Sequence, residues 1–152
     1  MAAGKWKMYE QAKLDFANGL IDFDSHSFRI NLYLSTSNCN TLSGTTTLAS
    51  LTNQVATAFG YTQSIKAVTL STANVAGTIT IDETTNPVWT ASGGSITARF
   101  AVIYDDTHAS KQAVCVCLLD TTPADVTATD GNTFTITMNV SGILTISGSS
   151  TD

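Results

Sequence analysis

The side chains of this sequence best suited to nucleophilic or metal chemistry are few: two histidines, His26 and His108, and three cysteines, Cys39, Cys115 and Cys117. Serine-type hydrolysis needs an activated hydroxyl, a histidine base and a carboxylate that orients it. Both histidines lie in polar, turn-like stretches, and no G-x-S-x-G elbow occurs. Gly93-Gly94-Ser95 reads as a turn between strands, and the histidines as surface loop residues. Asp22-x-Asp24-x-His26 has the look of an oxygen-ligand calcium loop, without the glycine and distal glutamate that complete one. Asp105-Asp106 follows a strongly apolar run and could join Asp120 or Asp125 around a cation; the plainer expectation is solvated loop carboxylates.

Cys115-x-Cys117 lacks zinc-ligand spacing and has no second ligand pair. On a strand the two sulfurs share one face, which predicts buried core thiols. The alternative is an intersubunit disulfide formed after assembly, through Cys39 in an exposed loop. No Walker or G-x-G-x-x-G sequence is present. The expectation is a chain without catalytic residues, cofactor or metal.

The 152 residues suit one domain. Charged residues are 12%, about half the usual ~25%, while hydrophobic residues are 43% and mean hydropathy is +0.12. So little charge implies either an uncharged polar surface or surface hidden in an oligomer. Threonine, which suits half-exposed sheets, is abundant. With net charge −5 and no basic stripe, nucleic-acid binding is not expected. An odd cysteine count fits a reduced chain made in a cytosol. Met1 to Tyr9 has no signal-like apolar run, and Ala113 to Leu119, the longest apolar stretch, falls far short of the ~20 residues that span a bilayer.

The elements that would position these groups are mostly strands. Trp6, Tyr9, Ala12, Phe16 and Leu20 recur at spacings of three and four, which predicts one helix from about Lys5 to Asn18 with Gly19 as its cap. Residues 1–20 form this helical segment, 27–147 the β-domain and 148–152 a frayed tail. Ser27 to Leu34 alternates as a strand, and Leu48 to Phe59 fits a short amphipathic helix weakened by threonine. Further strands are expected at Ala67–Ser71, Gly77–Asp82, Val88–Thr90 and Gly142–Ser147. Ile96 to Tyr104 and Ala113 to Leu119 read as central strands, and Ala124 to Val140 as a hairpin about Asp130-Gly131. The predicted fold is mainly β: an antiparallel, jelly-roll-like β-sandwich with one N-terminal helix. Its aromatic stripe, Trp6, Tyr9 and Phe16, either packs on the chain's own sheet or anchors a neighbouring subunit.

Three stretches carry a resemblance: AAGKWKMYEQAK at the start, PVWTASGGSITARFAVIYDDT (Pro87–Thr107) and CLLDTTPADVTATDGNTFTITMNVSGILTIS (Cys117–Ser147). They resemble small virion structural proteins of tailed bacteriophages, with a Lys-Trp-Lys start, an acidic link into a strand like FRINLYLS and a closing hairpin. The resemblance covers most of the chain, with Thr36 to Ser64 the least similar part. It implies a non-enzymatic virion protein made in the bacterial host cytoplasm. A capsid cement or decoration subunit that bridges shell subunits is the first choice. A tail, collar or fibre-base component is the alternative. Its partners would be copies of itself and the major capsid protein or other virion proteins, with neither nucleic acid nor membrane. The rival from a different class is a carbohydrate- or receptor-binding module, with Trp89, Tyr61 and Tyr104 stacking on sugar and Asp105 and Asp106 as hydrogen-bond partners.

Overall fold

The computed structural model describes residues 4–44, 46–83, 85–122, 124–139 and 142–148. The expected frayed tail therefore lies, apart from Gly148, outside the described residues. The chain begins with β1 (Lys7–Met8), α1 (Glu10–Ala17) and β2 (Phe28–Tyr33). A short 3₁₀ turn, Leu48–Ser50, precedes β3 (Ala67–Val68), β4 (Leu70–Val75) and β5 (Thr78–Glu83). Then come β6 (Val88–Thr90), β7 (Ile96–Ala98), β8 (Phe100–Asp105) and β9 (Ala113–Leu118). The last strands are β10 (Val126–Ala128), β11 (Thr133–Thr135) and β12 (Leu144–Ser147). Every pairing is antiparallel, so the protein is mainly β with several antiparallel sheets and, among the described residues, one α-helix.

The largest sheet has the order β1-β9-β8-β2-β3. All six residues of β8 and the first five of β9 are buried, as near-continuous apolar runs predict for central strands. The run Ile96–Tyr104 is, however, not one strand. It breaks at Arg99, whose N–H bonds Tyr33 O at 2.8 Å while its carbonyl accepts from Leu119 N. Before the break β7 pairs with β10; after it β8 lies between β2 and β9. The chain thus changes sheets within one apolar stretch.

The expected hairpin about Asp130-Gly131 is corrected in the same region. Its arms do not pair with each other: β10 pairs with β7 and β11 with β6. Both segments turn at the same place, around Gly93 and Gly131, where Gly93 N donates to Asp130 Oδ1 at 2.8 Å and Gly131 N to Ala91 O at 2.9 Å. Local alternation marks strands, but it does not say which strand lies opposite.

The helix is shorter than its periodicity predicts. Lys7 and Met8 are paired with Val116 and Cys115 on the edge of β9, and Tyr9 N reaches Val114 O at 3.0 Å. Helix nucleation is costly, and a ready sheet edge satisfies the same backbone groups. At the other end Gly19, with φ of 72°, donates to Phe16 O, and Leu20 N reaches back to Asp15 O at 2.8 Å. These two bonds form the paired-bond C-terminal cap that favours glycine, as expected. Leu20, beyond this reversal, is exposed instead of extending the stripe. Leu48 to Phe59 forms only the 3₁₀ turn; Gln54 then bridges Tyr33 in extended conformation.

One hydrophobic cluster joins Phe28, Ile30 and Leu32 of β2, Val102 and Ile103 of β8, Val114 and Cys115 of β9, Ile81 of β5, Trp89 of β6 and Phe134 of β11. Each fully buried Leu or Ile contributes roughly 1.5–3 kcal/mol relative to exposure.

Candidate functional site

His26 and the Asp105-Asp106 pair are tied into structural hydrogen bonds where the start of β2 meets the end of β8. Asp105 is fully buried. One carboxylate oxygen lies 2.5 Å from His26 Nδ1; the other accepts from the N–H groups of Thr107 and His108 at 2.9 and 3.0 Å. Ser27 adds two bonds, from its N–H to Thr107 Oγ1 and from Asp106 N to its carbonyl, both 2.8 Å. Asp106 sits between Arg29 Nε and Lys111 Nζ, each at 2.9 Å. The arrangement clamps the loop before β2 onto the β8–β9 connection.

His108 takes no part in that ring contact. Its Nδ1 lies 2.9 Å from Ser110 Oγ on the surface. The Ser–His contact and the His–Asp contact therefore involve different imidazoles, and they do not form one relay. A small cavity of about 200 Å³ adjoins His26, lined by Asp24, Ser27, Phe28 and residues 67–70.

The carboxylates weighed as cation ligands are dispersed. Asp22 caps its own turn through Asp24 N, Ser25 N and Ser25 Oγ, bonds that hold its carboxyl below the usual range. Asp24 binds the Thr72 N–H and hydroxyl on β4 at 3.0 and 2.8 Å. Asp125 pairs with Arg99 at 2.8 Å, and Asp120 caps Thr122 N. Among the described residues no group of three or more His, Cys, Asp or Glu side chains is placed to share a metal ion.

The cysteines need one correction. Cys115 and Cys117 are buried thiols, as expected from strand alternation. Cys39, expected in an exposed loop and considered for an intersubunit disulfide, is also fully buried. Tyr9 donates its hydroxyl to the Cys39 carbonyl at 2.5 Å, pinning that loop on the core. Burial pushes the Cys39 thiol up to about 11. Its sulfur is sealed from a neighbouring chain.

Of the three aromatic side chains weighed as subunit anchors, Tyr9 is fully enclosed by its own chain. Trp6 and Phe16 are partly buried against the same core, and Phe16 lies 5.3 Å from the Phe23 ring. Tyr9 is thus committed to its own core, while Trp6 and Phe16 each keep part of their surface open to solvent. The aromatic platform weighed for sugar binding is also internal: Trp89 is 5% exposed, and Tyr61 and Tyr104 are 1%. Trp89 spends its faces on Tyr61, Phe134 and Lys66 Nζ, at 5.8, 6.2 and 5.4 Å. No ring face remains for a sugar without repacking.

The surface that stands out was not singled out by sequence. The three-stranded sheet β12-β5-β4 carries β4, of sequence LSTANV, with five of its six residues exposed and no charge. Val75 near the tip is 65% exposed, and Ile79 is 37%. The hairpin closes through Ala76 and Gly77, both at positive φ. Between this sheet and α1 runs an apolar groove of about 540 Å³, lined by Met8, Phe16, Ala17, Ile81, Leu144 and Ile146, with Lys13 at its edge. The available signal was the uncharged, threonine-rich run from Leu70 to Thr80. Nothing in that run, however, distinguishes an uncovered sheet from a half-buried one.

No family model, curated protein or solved structure matches this chain. Among the described residues no helix is long and apolar enough to cross a membrane.

Proposed function

We propose that this chain is a non-enzymatic structural subunit of a tailed-bacteriophage virion, most directly a capsid cement or decoration protein, that acts through surface buried against other copies or other coat proteins. The observation that carries the assembly reading is the β4–β5 arm. Its outer half presents uncharged and apolar side chains, including Val75 and Ile79, with the strand exposed at five positions of six. An isolated hairpin is marginally stable in water, and even a third strand requires a covered face. Asp24 caps the β4 edge at Thr72, so the open part of that edge lies toward the tip, beyond Thr72, where neither charge nor proline blunts association. The virion part of the reading rests on the three resembling segments. In this reading the sheets around the common core pack as a jelly-roll-like sandwich, with the arm projecting from it.

Many modest contacts repeated on a symmetric shell add up through multivalency, so a small arm suffices for each copy. Cosedimentation with purified capsid shells, and separately with purified tails, of the phage that encodes the chain tests this. Binding to shells is expected, with Val75→Asp, at a position 65% exposed, weakening it at least tenfold at unchanged melting temperature. Binding to tails alone would replace cement with the tail, collar or fibre-base role. A monomer that binds neither would overturn the proposal.

A further inference from the structure

The arm sheet has a second outer edge, on the side away from β4: β12 ends the order β12-β5-β4. Its backbone direction follows from its neighbours, because opposed residues alternate between bonded and non-bonded pairs. The Thr72 N–H is taken by Asp24, so Thr72 and its partner Ile81 form a non-bonded pair. Ile81 therefore turns its backbone to β12, and its carbonyl accepts from Ile143 N at 2.9 Å. Leu144 and Ile146, opposite Ile81 and Ile79, direct their backbone groups inward to β5. Thr145 and Ser147 then direct their N–H and carbonyl groups outward, and among the described residues nothing bonds them there.

This free edge borders the apolar groove of about 540 Å³. Leu144 and Ile146 line the groove from the same sheet face as Ile81. Thr145 and Ser147 carry their side chains on the opposite face, so they reach the groove at the strand edge. The remaining apolar lining is Phe16 and Ala17 of α1 with Met8 of β1, an outer strand of the large sheet. An unpaired backbone edge beside an apolar slot suits an added strand: main-chain bonds hold it, and alternate side chains enter the slot. No charge or proline in Leu144–Ser147 blunts the edge. Lys13 is the one charged residue of the lining, and its ammonium group has no salt bridge among the described residues. It favours an acidic occupant. The chain's own exposed edge strand, β4, carries no charge, so a second copy is the poorer complement.

We infer that the open edge of β12 and this groove take up one extended segment of a partner protein, hydrogen-bonded to β12 as an added strand, with apolar side chains at alternate positions in the slot and a carboxylate at Lys13. The partner's place in a coat rests on the assembly reading; the slot itself does not.

A fluorescein-labelled hexapeptide alternating valine and threonine and ending in an amidated aspartate tests this on the full chain, by fluorescence anisotropy. Saturable binding is expected. Lys13→Glu should weaken it about three- to tenfold, and a peptide ending in amidated lysine should recover the loss. Two further peptides, N-methylated at alternate residues in the two possible registers, test the main-chain bonds. One should lose binding and the other keep it, because only alternate N–H groups face β12. An equal effect of both, or no saturable binding of the parent peptide at millimolar concentration, would overturn the inference. Displacement by decanoate with no effect of methylation would overturn it in favour of a site for small amphiphiles. Dissociation of a chain dimer by the peptide would overturn it in favour of a second copy. Peptide binding by a chain that binds neither shells nor tails would sink the assembly reading alone, while shell binding by a chain that ignores the peptide would sink this inference alone.

Discussion

The imidazole of His26 lies 2.5 Å from the fully buried carboxylate of Asp105, across 79 residues of sequence. The contact joins the loop before β2 to the β8–β9 connection. The carboxylate also holds two backbone N–H groups, so it organises the turn as well as the clamp. Asp105→Ala should destabilise the fold by about 3 kcal/mol, because it strips three partners from one buried acceptor. His26→Ala should cost less, about 1 kcal/mol, since the two turn bonds survive it. Urea unfolding of both variants checks the order; equal losses would show that the imidazole contact dominates.

The three thiols should be inert in the folded chain. Burial pushes Cys39 up to about 11 and Cys117 up to about 12, and raises Cys115 well above its ordinary value. The thiolate is the reactive form, so an aromatic disulfide reagent at pH 8 should titrate no thiol without denaturant and three after unfolding. Non-reducing electrophoresis of the native protein should show no crosslinked dimer. A rapidly reacting thiol would contradict the packing of Cys39 beneath Tyr9.

Alkali should weaken the fold in a defined window. The unfolded chain loses the Cys39 proton near the ordinary value of 9.0, while the folded chain holds it to about 11. Over that interval the folded state binds more protons, so stability falls as pH rises. It should be flat below about pH 8 and fall from there to about pH 11, by roughly 2–3 kcal/mol for this group. Tyr9 and Tyr33, raised by burial in the same direction, extend the loss to higher pH. Guanidinium midpoints measured across this range would expose a stability that instead climbs.

Gly60 occupies a position that a side chain cannot share. Its φ is +86°, and an added Cβ would lie 2.0 Å from the Thr90 carbonyl oxygen. Gly60→Ala should cost about 3 kcal/mol or more, since strain and a clash with backbone add. Gly19→Ala meets nothing within 4 Å and should cost only about 1 kcal/mol, the penalty of the left-handed conformation alone. Melting temperatures of the two variants should separate accordingly.

Much was legible from local pattern. Alternation and apolar runs located β2, β5, β6, β8, β9 and β12 to within a few residues, because burial of a face or of a whole strand is written directly into side-chain type. Gly19 marked the helix end for the same kind of reason: one residue type suits one backbone conformation. The burial of Cys115 and Cys117 followed from their two-residue spacing on an apolar strand. These features depend on a residue and its near neighbours.

What depended on distant partners was decided only by the tertiary structure. Periodicity in Trp6 to Leu20 is blind to an open β9 edge that recruits Lys7 and Met8 as a strand. Two alternating arms about Asp130-Gly131 look alike whether they pair with each other or, as they do, with β7 and β6. Cys39 in a polar loop is drawn inward by one hydroxyl, that of Tyr9, thirty residues away. His26 meets Asp105, and β4 remains uncovered, through packing that no window of sequence contains. Side-chain chemistry sets which surfaces avoid water, while the closing of long loops sets which of them meet.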